Sequence, residues 1–234
     1  MQAIILAGGK GTRLRELYPD TPKALIPING QPFISWQLKW LASAGIHAVH
    51  VAAGYMASSV REWVEANTPA GMTITLSEEP EALGTAGGLK YVEKFIQTNP
   101  FVVVNGDTLL PMIDWYQFME THRLSSAAVT MAVTPVAQAG RYGTVEFDDS
   151  RLVSAFLEKK ERAAGWVNGG LYIMNQETMR HITPDKALSL EEDVFPVMSW
   201  LRILQVYLAD PPLLDMGTPH GIQEMEVFLS SHSR

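Results

Sequence analysis

The chain contains no cysteine, which excludes disulfide staples and thiolate metal sites and fits a reducing compartment. No apolar run approaches the ~18 residues that a membrane-crossing helix needs. Met1 leads straight into an apolar strand, with no basic leader pattern before it. Positive charge is scarce: 18 Lys and Arg stand against 25 Asp and Glu, a net charge of −7. A broad nucleic-acid footprint is therefore not expected. The six histidines show no ligand spacing such as H-x-x-x-H. Internal repeats, low-complexity segments and Ser/Gly-rich linkers are also missing. These absences leave a soluble cytoplasmic protein with no nucleic-acid or membrane partner.

What is present is an ordinary globular composition, 47% hydrophobic and 18% charged over 234 residues, enough for one sizeable core. The first half alternates short apolar runs with helical patterns. Ala3 to Leu6, His47 to Val51, Met72 to Leu76 and Phe101 to Val104 read as strands. Phe33 to Ala44, Ser58 to Asn67 and Leu89 to Ile96 read as helices. That alternation predicts an α/β fold: a Rossmann-like, mostly parallel sheet with helices on both faces. The second half is less regular. A helix over Ile113 to Leu124 precedes strand candidates at Ala128 to Val133, Thr144 to Phe147, Val153 to Leu157 and Val167 to Met174. Ser189 with Glu192 reads as a capping box, and a last helix follows Thr218-Pro219. We expect a single domain over 1–234, with a nucleotide-binding lobe over about 1–110 and a smaller mixed β lobe over about 111–234.

The densest motif follows the first strand: Leu6-Ala7-Gly8-Gly9-Lys10-Gly11-Thr12-Arg13-Leu14, then Pro22-Lys23. Glycines after a strand let backbone N–H groups approach a ligand and form a nest for phosphate oxygens. Arg13 can grip a phosphate with its planar fork, and Lys23 can supply a point charge. Lys10 and Arg15 add to this local concentration of positive charge. A glycine turn with incidental basic residues is the plainer reading, and neither the P-loop nor the dinucleotide fingerprint matches as written. Two aspartates stand just past apolar runs, in Asn105-Gly106-Asp107 and Leu214-Asp215-Met216-Gly217-Thr218-Pro219. Each alone could be a turn residue. As a pair beside a triphosphate loop they suit one Mg²⁺, an ion that takes one or two carboxylates plus phosphate oxygens.

The glycine motif with Pro22-Lys23-Ala24-Leu25-Ile26-Pro27 resembles the signature of the sugar-1-phosphate nucleotidyltransferases. These enzymes join a nucleoside triphosphate to a sugar 1-phosphate and release pyrophosphate. The start alone is also similar to nucleotidyltransferases acting on molybdopterin or methylerythritol phosphate. Five motifs in the family's order, from Ala3 to about Pro219, favour the sugar enzymes. The resemblance implies that Leu6, Ala7, Gly8, Gly9, Gly11, Thr12 and Arg13 bind nucleotide. It further implies that Glu79, Gly84 and Thr85, in the stretch Glu78 to Gly88, meet base and ribose. A carboxylate at Glu79 would accept from the paired donors of guanine. Phe156-Leu157-Glu158-Lys159 resembles the family's sugar-phosphate motif, with Lys160 where proline is usual. Asn168-Gly169-Gly170 resembles its sugar-contacting segment, and Arg141-Tyr142-Gly143 has the look of its sugar side.

The resemblance thus implies catalytic roles for Arg13, Lys23 and Asp107. It implies sugar-phosphate contacts at Lys23, Gly143, Glu158, Lys159, Asn168 and Gly169, and Mg²⁺ on Asp107 and Asp215. Arg-Tyr-Gly-x-Val-Glu, Asn-Gly-Gly-x-Tyr and Leu-Ser-Leu-Glu-Glu-Asp look most like the branch joining GTP to a heptose 1-phosphate. Branches using GTP with mannose 1-phosphate, or UTP with N-acetylmuramic acid 1-phosphate, are the alternatives. A nucleotide-sensing homologue without turnover would be expected to lose one of Arg13, Lys23, Asp107, Lys159 and Asp215, and all five are present. A monomer or homodimer is expected, with the aromatics Trp36, Trp40, Trp63, Trp115 and Tyr116 mostly in the core. The chain ends soon after the second aspartate motif, without the long C-terminal β-helix of some relatives.

Overall fold

Alternation of side chains across apolar strands builds two packed layers, one on each face of a sheet. In a computed structural model of the chain, residues 1–9, 11–137, 144–157 and 164–232 are described. The first half runs β1 (Gln2–Ala7), β2 (Pro27–Ile28), β3 (Gln31–Pro32), α1 (Phe33–Ser43), β4 (Ala48–Ala53), α2 (Ala57–Asn67), β5 (Thr73–Glu78), α3 (Gly84–Tyr91), β6 (Phe101–Asn105) and β7 (Thr108–Leu109). The second half runs α4 (Trp115–Arg123), β8 (Val129–Val136), β9 (Thr144–Phe147), β10 (Val153–Leu157), β11 (Gly165–Met174), α5 (Phe195–Trp200), β12 (Leu204–Leu208), β13 (Leu214–Asp215) and α6 (Pro219–His232).

Strands β5, β4, β1 and β6 pair in that order, all parallel. Strand β11 then runs antiparallel to β6 and to β8, and β12 lies parallel to β8. Along β1, Ala3 and Ile5 face α1, α2 and α4, packing with Leu38, Val60 and Phe118. Ile4 and Leu6 face the other way, towards Leu89 of α3 and Phe195 and Met198 of α5. Ile4 and Ile5 are fully buried, each contributing roughly 2 kcal/mol by transfer from water. Helices on both faces of the sheet follow directly from this period of two. Strands β8 to β12 extend the same sheet rather than forming a separate layer, while β13 pairs with β7 in a small sheet of its own. β11 is the hinge of this arrangement. Its C-terminal half pairs with β6, and Val167 near its start pairs with Thr144 of the β9–β10 hairpin.

Two expectations need correction. The helix expected over Leu89 to Ile96 begins at Gly84 and ends at Tyr91, with a separate 3-10 turn at Glu93–Phe95. The glycines at 84, 87 and 88 argue against helix by propensity, but tertiary contacts described below require them there. The capping box at Ser189 closes on a different residue. The Ser189 hydroxyl accepts from the Glu191 and Glu192 N–H groups, while the Ser189 N–H donates to Asp193 Oδ2 at 2.7 Å rather than to Glu192. The turn Leu190–Val194 is a π-helix, and its wider winding moves the reciprocal carboxylate one residue along. Strand β12 had no counterpart in the sequence reading. Trp40, Trp63 and Trp115 pack against the main core and Trp36 against a third cluster, while Tyr116 is exposed.

That third cluster matters for function. Ile222, Met225 and Leu229 of α6 pack against Leu14, Phe33, Leu109 and Leu214. One helix thereby braces the end of the glycine loop and the two short strands that flank the aspartates. Among the described residues no helix is long and apolar enough to cross a membrane.

Candidate active site

The glycines after β1 differ in what requires them. A Cβ on Gly8 would lie 2.6 Å from Glu79 Oε1, and a Cβ on Gly54 would lie 2.7 Å from the Gly8 carbonyl oxygen. Gly9 has open space around it. Gly11 has φ of 57°, in the left-handed region, which a side chain would strain. The chain then enters a 3-10 turn, Thr12–Leu14, with Thr12 and Arg13 exposed and Leu14 buried. Arg15 stacks its guanidinium 4.6 Å from the centre of the Tyr55 ring. A second 3-10 turn, Lys23–Leu25, brings Lys23 back beneath Gly11.

Lys23 Nζ donates to Asp107 Oδ2 at 2.6 Å, which ties the glycine loop to the end of β6. Asp107 sits in a turn locked by main chain. The Gly106 N–H donates to the Leu6 carbonyl at 2.9 Å, and the Met216 N–H to the Asp107 carbonyl at 3.0 Å. Strands β7 and β13 pair antiparallel, Thr108 opposite Asp215. Asp107, in the turn just before β7, and Asp215, the last residue of β13, are over a hundred positions apart in sequence and are brought together by this pairing. Asp215 Oδ1 accepts from the Gly217 N–H at 2.7 Å. Gln37, fully buried on α1, donates both amide hydrogens across the turn, to the Asn105 carbonyl at 2.9 Å and the Thr108 carbonyl at 3.2 Å. Sequence reasoning missed Gln37. A buried polar residue on the apolar face of a helix was the available signal.

Glu79 follows β5 and is buried between two glycines. Cβ atoms on Gly8 and Gly88 would lie 2.6 Å and 2.5 Å from its carboxylate. Its Oε2 accepts a long bond of 3.4 Å from the Leu83 N–H. Burial pushes its carboxyl up to about 7, against the opposing pull of that bond. At the start of α3, the Ala86 and Gly87 N–H groups donate to the Leu188 carbonyl. A Cβ on Gly84 would lie 2.5 Å from the same oxygen. Gly84 itself is exposed. The Thr85 hydroxyl is occupied: it donates to Glu191 Oε2 at 3.0 Å and accepts from the Leu190 N–H at 2.8 Å.

On β11 the register shifts between Asn168 and Tyr172. Gly170, at φ of 68°, brings this bulge against the Asp107 turn; a Cβ there would be 2.5 Å from Thr108 Oγ1. Gly169 lies against Leu110 and the Ala132 carbonyl. Half-buried Asn168 accepts from the Gly170 N–H at 2.9 Å and donates to the Tyr172 hydroxyl at 2.7 Å. Burial first, then the nearby Glu191 charge, holds the Tyr172 hydroxyl well above its ordinary titration range. Lys10, Arg141, Tyr142, Gly143, Glu158, Lys159 and Lys160 lie outside the described residues.

The fold and these residues define a class: an α/β protein with a glycine-rich loop, a lysine and two aspartates gathered at the carboxyl ends of parallel strands, where ligands bind in such sheets. The family model for nucleotidyl transferases matches residues 2–230, and the chain belongs to that family. It is 33% identical over 226 residues to a D-glycero-alpha-D-manno-heptose 1-phosphate guanylyltransferase of Aneurinibacillus thermoaerophilus, covering 97% of each chain. It is 32% identical over 222 residues to a mannose-1-phosphate guanylyltransferase of Mycobacterium tuberculosis, spanning 94% of this chain and 62% of that one. Among solved structures, HddC from Yersinia pseudotuberculosis complexed with GMP-PN superimposes with a TM-score of 0.86 at 27% identity, over 97% of this chain and 99% of that one.

Proposed function

We propose that the chain is a sugar-1-phosphate guanylyltransferase, with heptose 1-phosphate as the favoured acceptor. An oxygen of the sugar phosphate attacks the α-phosphorus of GTP. The bond to the β-phosphate oxygen breaks, and pyrophosphate leaves as NDP-sugar forms. No protein nucleophile is needed, because the acceptor is already an anion. Catalysis is then alignment plus charge stabilisation. The observation that carries the reading is the Lys23–Asp107 contact of 2.6 Å. It sits where the glycine loop, the two aspartates and the Asn168 bulge converge.

In this reading the loop from Leu6 to Arg13 binds the triphosphate, and Arg13 holds its outer charge. Lys23 sits between the α-phosphate and the incoming phosphate, with Lys159 on the sugar phosphate. Asn168, Gly169, Glu158 and Gly143 line the sugar side. Asp107 and Asp215 would hold a divalent cation, with Mg²⁺ favoured. Two carboxylates, one in the turn before β7 and one at the end of its partner β13, fit an ion that takes its remaining ligands from phosphate and water. Among the described residues no group of three or more His, Asp or Glu forms a self-sufficient cage. Such an ion would neutralise phosphate charge. Glu79 supports guanine: a carboxylate can accept from N1–H and N2–H₂ together. We place the reaction in the cytoplasm, where nucleoside triphosphates are available.

The test is a pyrophosphate-release panel of GTP, UTP, CTP, ATP and dTTP with Mg²⁺, against heptose, mannose, glucose and N-acetylmuramic acid 1-phosphates. Turnover confined to GTP with the heptose phosphate is expected. Preference for mannose 1-phosphate or for UTP would move the chain to another branch, and no release with any pair would end the enzyme reading.

A further inference from the structure

We infer that Glu191 is a positioning residue for the acceptor sugar, acting through Tyr172 as the second anchor of the Asn168 side chain, whose polarity the Gly170 N–H sets. The inference rests on the reading of Asn168 as a sugar contact. Glu191 lies on the π-turn Leu190–Val194, far in sequence from the bulge it serves.

The argument is one of donors and acceptors. Asn168 Oδ1 faces the Gly170 N–H, a donor, at 2.9 Å, so that atom must be the oxygen. The other end must be the amide nitrogen, and it meets the Tyr172 hydroxyl at 2.7 Å. Tyr172 therefore accepts from Asn168. Its own hydrogen has one remaining destination, Glu191 Oε1 at 3.2 Å. The second carboxylate oxygen is equally constrained. The Thr85 hydroxyl accepts from the Leu190 N–H, and the Ser189 hydroxyl accepts from the Glu191 and Glu192 N–H groups. Each hydroxyl must then donate its hydrogen, and both point it at Glu191 Oε2, at 3.0 Å and 2.9 Å.

Three donors thus converge on two oxygens, an arrangement only a carboxylate satisfies. A glutamine of the same shape would set an NH₂ against donors on one side. If that NH₂ faced Tyr172, the tyrosine hydrogen would lose its acceptor and the hydroxyl would have to turn, loosening its hold on the Asn168 amide and leaving that side chain anchored by the Gly170 N–H alone. One Asn168 amide hydrogen is taken by Tyr172, which leaves the second to address a sugar hydroxyl. The same carboxylate accepts from Thr85 at the start of α3, but the oxygen of a glutamine can keep that bond while its NH₂ faces Tyr172.

Steady-state kinetics of Glu191→Gln, Tyr172→Phe, Asn168→Ala and the Glu191→Gln/Tyr172→Phe double variant test this. The expected result is about a tenfold rise in KM for the sugar 1-phosphate in Glu191→Gln, as for loss of one oriented hydrogen bond. The KM for the nucleotide and kcat should stay within about twofold of the parent. The double variant should be no worse than the more impaired single variant, because both act through one chain of bonds. If Asn168→Ala raises the sugar KM and Glu191→Gln does not, Glu191 has no positioning role and the sugar reading stands. If Asn168→Ala leaves the sugar KM unchanged, the reading of the bulge fails and takes this inference with it. A Glu191→Gln protein in which kcat and both KM values change together would reveal a structural role and overturn the inference. Should Glu191→Gln not fold, Glu191→Asp keeps the acceptors but withdraws them by one carbon, and the same KM split is required of it.

Discussion

The Asp107 turn and the Asn168 bulge lie against each other, yet they are held by different means. Around Asp107 the fixing contacts run mainly through main chain. Leu6 and Gly106, Asp107 and Met216, and the β7–β13 pair all bond backbone to backbone. Gln37 adds its two bonds to carbonyls of the same turn. Around Asn168 the fixing contacts run through side chains, from Asn168 to Tyr172 to Glu191 and on to Thr85 and Ser189. A main-chain frame tolerates many side chains but not added volume or a lost anchor. A side-chain frame tolerates small changes of volume but not a donor exchanged for an acceptor. The two halves should therefore fail under different substitutions.

The largest expected effect is at the main-chain frame's functional tip. Asp107→Ala removes both a candidate cation ligand and the partner of Lys23. It should lower kcat on the order of 10³-fold in a pyrophosphate-release assay, with the fold intact by circular dichroism. A variant with near-normal kcat would separate Asp107 from the chemistry.

Added volume is the next probe. A Cβ at Gly54 would press on the Gly8 carbonyl, which is backbone and cannot rotate away. Gly54→Ala should destabilise the protein by about 1–3 kcal/mol in urea unfolding and weaken nucleotide binding as the loop shifts. Gly9→Ala is the contrast, since its Cβ would meet nothing. It should leave stability within about 0.5 kcal/mol while raising the nucleotide KM. Equal stability losses in the two variants would mean that the loop is not shaped by this contact.

A smaller effect is expected from Gln37→Leu, which keeps the volume of a buried residue but releases the Asn105 and Thr108 carbonyls. We expect a loss of roughly 1–3 kcal/mol in stability and about a tenfold fall in kcat, with the sugar KM unchanged. A rise in the sugar KM instead would show that the two frames are coupled through Gly170.

The same division explains what could be read from sequence. The glycine loop, Lys23, Asp107 and Asp215 stand beside apolar strands, where local pattern marks them as candidates. Strands β1, β4, β5 and β6 are also local patterns, and their alternation with helices implies parallel pairing, whereas their order in the sheet is set by long-range packing. What local pattern could not give is reach across the chain. Glu191 looks like a surface carboxylate in a capping box until β11 and the π-turn are placed together. The glycines of α3 read as loop because propensity disfavours them in helix. Their real constraint is contact with the carbonyls of Lys186 and Leu188 and with Glu79. Strand β12 is short and pairs along its length with β8, with one further bridge from Gln205 to Leu152, a position that periodicity marks weakly.

Glu79 stands apart from both frames, and its titration gives the subtlest expected effect. It is wedged against Gly8 of the loop and Gly88 of α3, and burial raises its carboxyl to about 7. The folded protein therefore keeps this proton to higher pH than the unfolded chain does. Stability should decline as pH rises from the ordinary carboxylate range to about 7, then level off. Guanine binding runs the other way, because its paired N–H donors need the ionised carboxylate. The KM for GTP should fall a few-fold between about pH 6 and about pH 8, while the unliganded protein loses stability over the lower part of that range. The triphosphate also titrates in this window, so Glu79→Gln is the necessary comparison. In that variant both slopes should flatten. A GTP slope that persists in Glu79→Gln would belong to the phosphates. Glu79 would then serve as the wedge that spaces Gly8 from Gly88, and base selection would fall to the backbone around Gly84.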